Sequence, residues 1–178
     1  MGVHKFRLPA PELMAPSSEL QKGFMIGLDR TPVRTVIELR GDLLICHRDT
    51  NESGRLHVPW AVPGFGTTIH NTATLMERAE PYDLTIELAR GKLNDLRNQW
   101  EDWKLMGLQS TPELSGLVHD AQAQFTVAVT CRDNAKQSWL AASEAILLAC
   151  RASSVLMDLY TRQVLQTRLT FAPRLPTL

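Results

Sequence analysis

The absences in this chain narrow its reading first. Its five histidines, His4, His47, His57, His70 and His119, form no HxH or HExxH pair, so no zinc-type motif and no metal cofactor are expected. No serine stands in a GxSxG elbow and no glycine run forms a phosphate loop. GFGTTIH at Gly64–His70 has the outline of a phosphate turn, but no lysine follows and the run after it reads as strand. An excess of either charge is also missing: 19 basic residues balance 19 acidic ones, thinly mixed, which argues against nucleic acid as a partner. Cysteine is scarce. Cys46, Cys131 and Cys150 are odd in number and lack metal-type spacing, so they read as small buried thiols in a reducing compartment, the cytoplasm by default. MGVHKFRLPAPELMAPSS contains no apolar signal core, and Met-Gly is not followed by the serine or threonine of a myristoylation pattern. No apolar run reaches membrane length on reading, so a soluble chain with no membrane partner is expected.

What is present divides into two periods. From residue 3 to about 76, Lys5–Leu8, Phe24–Leu28, Thr35–Arg40, Leu43–Arg48, Leu56–Val62 and Thr67–Leu75 are short runs rich in Val, Ile, Leu, Phe and Thr. Proline, glycine, Asp and Asn separate them. Gly41-Asp42 is a two-residue hairpin signal, because glycine supplies the positive φ of a primed turn. Pro59 places its strand at an edge, since proline cannot donate to a ladder. Residues 12–22 add a short helix. An antiparallel, β-sandwich-like module over residues 1–79 is the expected result.

From residue 80 the period becomes helical. Ile86, Ala89, Leu93, Leu96, Trp100 and Trp103 recur at three- and four-residue steps, one apolar stripe along a helix of about six turns. A second helix opens at Thr111 with Pro112 at its first position, and Leu114, Leu117, Ala121, Phe125 and Ala128 continue the stripe. Arg132-Asp133-Asn134 breaks it, and a third helix runs from about Ala135 to Leu169. Its Ala142, Ala149 and Ser153 are small enough for close helix approach. Short connections predict an antiparallel three-helix bundle over 80–170, with 171–178 as an extended tail or linker. The fold class expected is therefore α+β, a β-module packed on a helical bundle.

Few residues suggest chemistry. The carboxylate pairs Glu77 with Glu80, Asp83 with Glu87 and Glu101 with Asp102 sit on helix ends or polar faces, where the helix dipole or an ion pair such as Glu87 with Arg90 explains them. Trp100 and Trp103 lie on the apolar stripe and read as core. Trp60 has two readings. In VPWAVPGFG (Val58–Gly66) it is either a stiffly held aromatic platform for a sugar ring or the side chain that closes sheet against helix. Phe65, on the glycine-rich turn, is the better candidate for exposure. Arg55, His57 and Asn71 stand near enough in sequence to bond the hydroxyls of such a sugar. His47 and His57 would approach each other if their strands were neighbours.

The run Glu52–Trp103 resembles the amino-terminal region that precedes the catalytic barrel in bacterial proteins similar to family-10 glycoside hydrolases, the endo-1,4-β-xylanases. SGRLHVPW, the TLMER-x-x-PY junction at Thr74–Tyr82 and ELARGKLNDLRNQ at Glu87–Gln99 carry the likeness. RLPTL at Arg174–Leu178 looks like the linker into such a barrel. The resemblance implies a non-catalytic accessory domain whose parent holds the catalytic glutamates in a barrel outside this chain. A (β/α)₈ barrel takes about 250 residues, so none is contained here. Its implied ligand is a xylan-like polysaccharide, held by Trp60, Phe65, Arg55, His57 and Asn71. The competing expectation is an interaction or oligomerisation module built on the long helices.

Overall fold

A computed structural model describes residues 2–13 and 18–171, and of Ser18 and Phe171 only the backbone. The chain is α+β, with two four-stranded sheets and three helices at the carboxy-terminal end. The strands are β1 (Gly2–Arg7), β2 (Phe24–Ile26), β3 (Pro32–Val33), β4 (Thr35–Arg40), β5 (Leu43–Arg48), β6 (Arg55–Val62), β7 (Gly66–Asn71) and β8 (Tyr82–Asp83). One sheet runs β4-β5-β1-β8, the other β3-β2-β6-β7. Of the expected short helix at 12–22, a 3-10 turn forms at Ser18–Lys22, and residues 14–17 lie outside the described residues, as does the tail from 172.

Local chemistry accounts for several elements. Gly41 adopts φ 62° and joins β4 to β5 with Arg40 opposite Leu43, the hairpin its sequence predicts. The helices are α1 (Leu84–Leu105), α2 (Pro112–Thr130) and α3 (Ala135–Phe171). Thr111 caps α2 by accepting the Leu114 N–H, with Pro112 first in the helix. Asp83 caps α1 through the Ile86 N–H at 3.1 Å. By length and composition α3 could cross a membrane, which the sequence reading did not anticipate; Ala142, Ala145, Ile146, Ala149 and Ala152 along it are buried inside the fold.

Two expectations about the sheets are corrected. The ladders are not all antiparallel, because β1 pairs with β8 in parallel, Phe6 opposite Tyr82. β8 is two residues long and precedes a helix, so no alternation could announce it. The strand carrying Pro59 is not an edge strand, since β6 lies between β2 and β7. However, the β2 ladder ends at His57, so β6 has only β7 beside Pro59, where a missing N–H is tolerated. His47 and His57 fall in different sheets and are not neighbouring-strand partners.

One buried cluster draws Phe6, Leu44 and Cys46 from the first sheet and Leu56, Val58, Trp60 and Val62 from the second. It continues into Leu84, Ile86, Leu88 and Ala89 of α1, Ala128 of α2 and Ala142 of α3. A second cluster joins Leu93 and Leu96 to Leu114, Val118, Ala149 and Leu156, with Trp100 and Trp103 partly buried at its margin. Trp103 stacks on Tyr160 with centroids 4.0 Å apart. The three cysteines are free, and burial pushes the Cys46 thiol up to about 12, so it is an inert packing group.

The tightest contact between helix and sheet is at Gly91 of α1. A Cβ there would stand 1.9 Å from the Asn71 carbonyl oxygen and 2.6 Å from the Thr72 carbonyl carbon, both rigid backbone. Only glycine permits this approach. Gly91→Ala is therefore expected to destabilise by about 3 kcal/mol or more. Gly116→Ala, on an open face of α2, should instead stabilise by roughly 1 kcal/mol. Opposite shifts in thermal unfolding would check both, and equal behaviour of the two variants would contradict the close approach.

Candidate functional site

β6 alternates strictly. Leu56, Val58, Trp60 and Val62 are buried, whereas Arg55 and His57 are half-exposed on the opposite face. The strand's alternation thus corrects the expectation that Trp60 offers a ring to a sugar: at 6% exposure it is part of the core. Phe65, at 39% exposure on the β6–β7 turn, does face solvent. Register then places Phe24, His57 and Asn71 side by side on β2, β6 and β7. Phe24 stacks on the His57 ring, centroids 5.1 Å apart and planes 7° from parallel, and is 37% exposed.

Two of the five residues expected at the site, Arg55 and Asn71, are joined by one that the sequence did not single out, Asp95. It lies one helical turn beyond Gly91, so the close approach of α1 to β7 brings its carboxylate to the strand ends. Asp95 Oδ1 accepts from Arg55 Nη1 at 3.1 Å, and Oδ2 accepts from Asn71 Nδ2 at 2.9 Å. Arg55 Nε donates in turn to Thr74 Oγ1 at 3.3 Å. Both carboxylate oxygens are engaged, and the Arg55–Asp95–Asn71 chain forms a polar wall across forty residues of sequence.

A cleft opens on each side of this wall. The larger, about 480 Å³, is lined by Ile26 and Leu28 at the end of β2, Arg55 and His57 of β6, and Asp95, Asn98, Gln99 and Asp102 on one face of α1. Its rim includes Arg30 at φ 64°, a left-handed conformation that costs a non-glycine residue about 1 kcal/mol. Asp29 holds it there, accepting from the Thr31 N–H at 3.0 Å and the Thr31 hydroxyl at 2.7 Å. Two arginines face two aspartates, so the cleft is polar without net charge. Burial and the Arg55 guanidinium hold the His57 imidazole below its ordinary range, leaving it neutral, and its Nε2 is buried without a hydrogen-bond partner.

The smaller cleft, about 240 Å³, lies between β7, α1 and α3 and is lined by Phe65, Ile69, His70, Asn71, Lys92, Asp95, Cys150, Ser153 and Ser154. Phe65 and Asn71 therefore face this cleft, Arg55 and His57 the other, and Asp95 both. His70 is buried, with Nε2 2.9 Å from Thr68 Oγ1.

Four of the six carboxylates paired in the sequence have structural partners. Asp83 caps α1, Glu87 is buried 3.5 Å from Arg90, Glu101 pairs with Lys104 at 3.0 Å, and Glu77 accepts from the Val3 N–H. Among the described residues no three His, Cys, Asp or Glu side chains gather where a metal could be held. No family model, curated protein or solved structure matches the chain.

The buried imidazole makes a pH prediction. Desolvation, with the Lys92 ammonium adding to it, lowers His70 to about 4. The folded state keeps it neutral while the unfolded chain takes up a proton below about 6.5. Stability is therefore lost as pH falls from about 6.5 to about 4, by at most roughly 3 kcal/mol. Unfolding midpoints of His70→Gln, which keeps a donor or acceptor for Thr68, should fall less across that window than those of the parent chain. Parallel slopes would show that His70 does not titrate in this way.

Proposed function

We propose that this chain is a non-catalytic accessory domain of a xylanase-like glycoside hydrolase and that it binds polysaccharide in the larger cleft. The finer architecture of this reading is a sandwich-like pairing of the two sheets against an antiparallel bundle of α1, α2 and α3. The observation that carries the binding claim is the cleft beside the Arg55–Asp95–Asn71 wall. Guanidinium, carboxylate and side-chain amide groups alternate there with no net charge, which suits a neutral ligand rich in hydroxyls. His57, the cleft-lining ring on which Phe24 stacks, takes the part of the flat face that a pyranose packs against, in place of the buried Trp60. The likeness of Glu52–Trp103 to the region ahead of a xylanase-like barrel supports the choice of xylan. On this reading catalysis belongs to a barrel elsewhere in the parent protein, and no cofactor is required.

The competing reading is a protein interaction or oligomerisation module formed by the long helices, which the small residues Ala142, Ala149 and Ser153 of α3 favour. Of these, Ala142 and Ala149 are fully buried within the chain, and Ser153 is half-buried beside the smaller cleft. What still favours pairing with a second copy is the exposed set Leu105, Met106, Leu165 and Leu169 towards the far ends of α1 and α3. A monomer by sedimentation at high concentration would remove it.

Affinity electrophoresis through gels containing xylan, cellulose or mannan tests the binding claim. The parent chain is expected to be retarded by xylan. Asp95→Ala should lose roughly 10- to 100-fold in affinity, the scale of a lost hydrogen-bonded charge. Its stability should change by no more than about 1 kcal/mol, since the Arg55–Asp95 pair is partly solvated. Trp60→Ala should do the reverse, destabilising by about 3–5 kcal/mol because it empties a core site. Free migration of the parent chain in all three gels would refute the proposal.

A further inference from the structure

We propose that the smaller cleft, between β7, α1 and α3, binds a carboxylate group, with Lys92 as its counter-charge. Lys92 follows Gly91, so the contact that presses α1 onto β7 also places this side chain at the cleft, half-buried. It has no ion-pair partner among the described residues. The nearest carboxylate in sequence, Asp95, has both oxygens committed to Arg55 and Asn71. The other groups around it carry no negative charge. Burial keeps His70 neutral, the Cys150 thiol is pushed up by burial and stays protonated, and the Ser153 hydroxyl donates to the Ala149 carbonyl oxygen. With Asp95 engaged by Arg55 and Asn71, the Lys92 ammonium is the charge at this cleft that a ligand's anion can meet.

The shape and donors select the kind of anion. A phosphate dianion is ordinarily held by arginine forks or by several backbone N–H groups at a helix start, and this cleft has neither. A single ammonium matches a singly charged carboxylate. Phe65 and Ile69, exposed on the β6–β7 hairpin, supply an apolar wall against which a ring can lie. At about 240 Å³ the cleft is smaller than sites for drug-sized ligands, so it takes a small group. It also adjoins the larger cleft through Asp95, which lines both. A carboxylated sugar branching from a chain in the larger cleft would meet Lys92. This choice of source rests on the polysaccharide reading. A free carboxylic acid is the other source of the same chemistry.

Calorimetric titration of the full chain with three probes separates the possibilities: a neutral xylo-oligosaccharide, the same oligosaccharide bearing one glucuronate, and free glucuronate. The parent chain is expected to bind the substituted oligosaccharide about tenfold more tightly than the neutral one. That preference should shrink at high salt and vanish in Lys92→Gln, whose melting temperature and neutral-oligosaccharide affinity stay those of the parent. Equal affinity of the parent for both oligosaccharides would overturn the carboxylate site while leaving the polysaccharide reading intact. Lys92-dependent binding of free glucuronate, with neither oligosaccharide bound, would keep the carboxylate site and remove the polysaccharide. No binding of any probe would overturn both.

Discussion

The close approach of α1 to β7 at Gly91 is the constraint on which the rest of this structure depends. Backbone meets backbone there, with no room for a Cβ between the helix and the Asn71 carbonyl. Because side chains four apart share a helix face, that contact sets where Asp95 goes. Asp95 then gathers Arg55 and Asn71 from the ends of two strands and divides the surface into two clefts. A helix held even a few ångströms farther away would leave Asp95 out of reach of both. The same contact sets the first turns of α1 into the core, where Leu84, Ile86, Leu88 and Ala89 are all buried.

The two clefts differ in what they ask of a ligand. The larger offers donors and acceptors of balanced charge, with the His57 ring among its lining. The smaller offers an apolar wall and the Lys92 ammonium, which has no ion-pair partner among the described residues. They share Asp95, so a change at that residue acts on both, whereas a change at Lys92 acts on one. Its hydrogen bonds are partly solvated, so they position side chains more than they hold the fold together. Stability comes from the two buried clusters instead, to which Trp60 belongs.

Much of the framework was legible in the sequence because local chemistry specified it. Arg40-Gly41-Asp42-Leu43 encodes a hairpin without outside help, and Thr111-Pro112 encodes a helix start. The stripe from Ile86 to Leu96 lies buried as its spacing requires. The α+β class follows from the change of period near residue 80. What was not legible depends on tertiary neighbours. Asp95 looks like any polar residue of an amphipathic helix until Arg55 and Asn71 are brought to it. Phe24 gains its role from strand register, which places it opposite His57. Of the two readings of Trp60, the core one holds. The alternation of Leu56, Val58, Trp60 and Val62 against Arg55, His57 and Pro59 puts it on the apolar face.

The central claim is that the wall set by Gly91 and Asp95 organises a surface for a hydroxyl-rich ligand. Mapping backbone amide shifts during titration of the isotopically labelled chain with a xylo-oligosaccharide tests it most directly. The account predicts perturbations concentrated at Arg55, His57, Asn71, Asp95 and Gln99. Shifts gathered instead around Trp103 and Tyr160, or spread evenly over the chain, would contradict it.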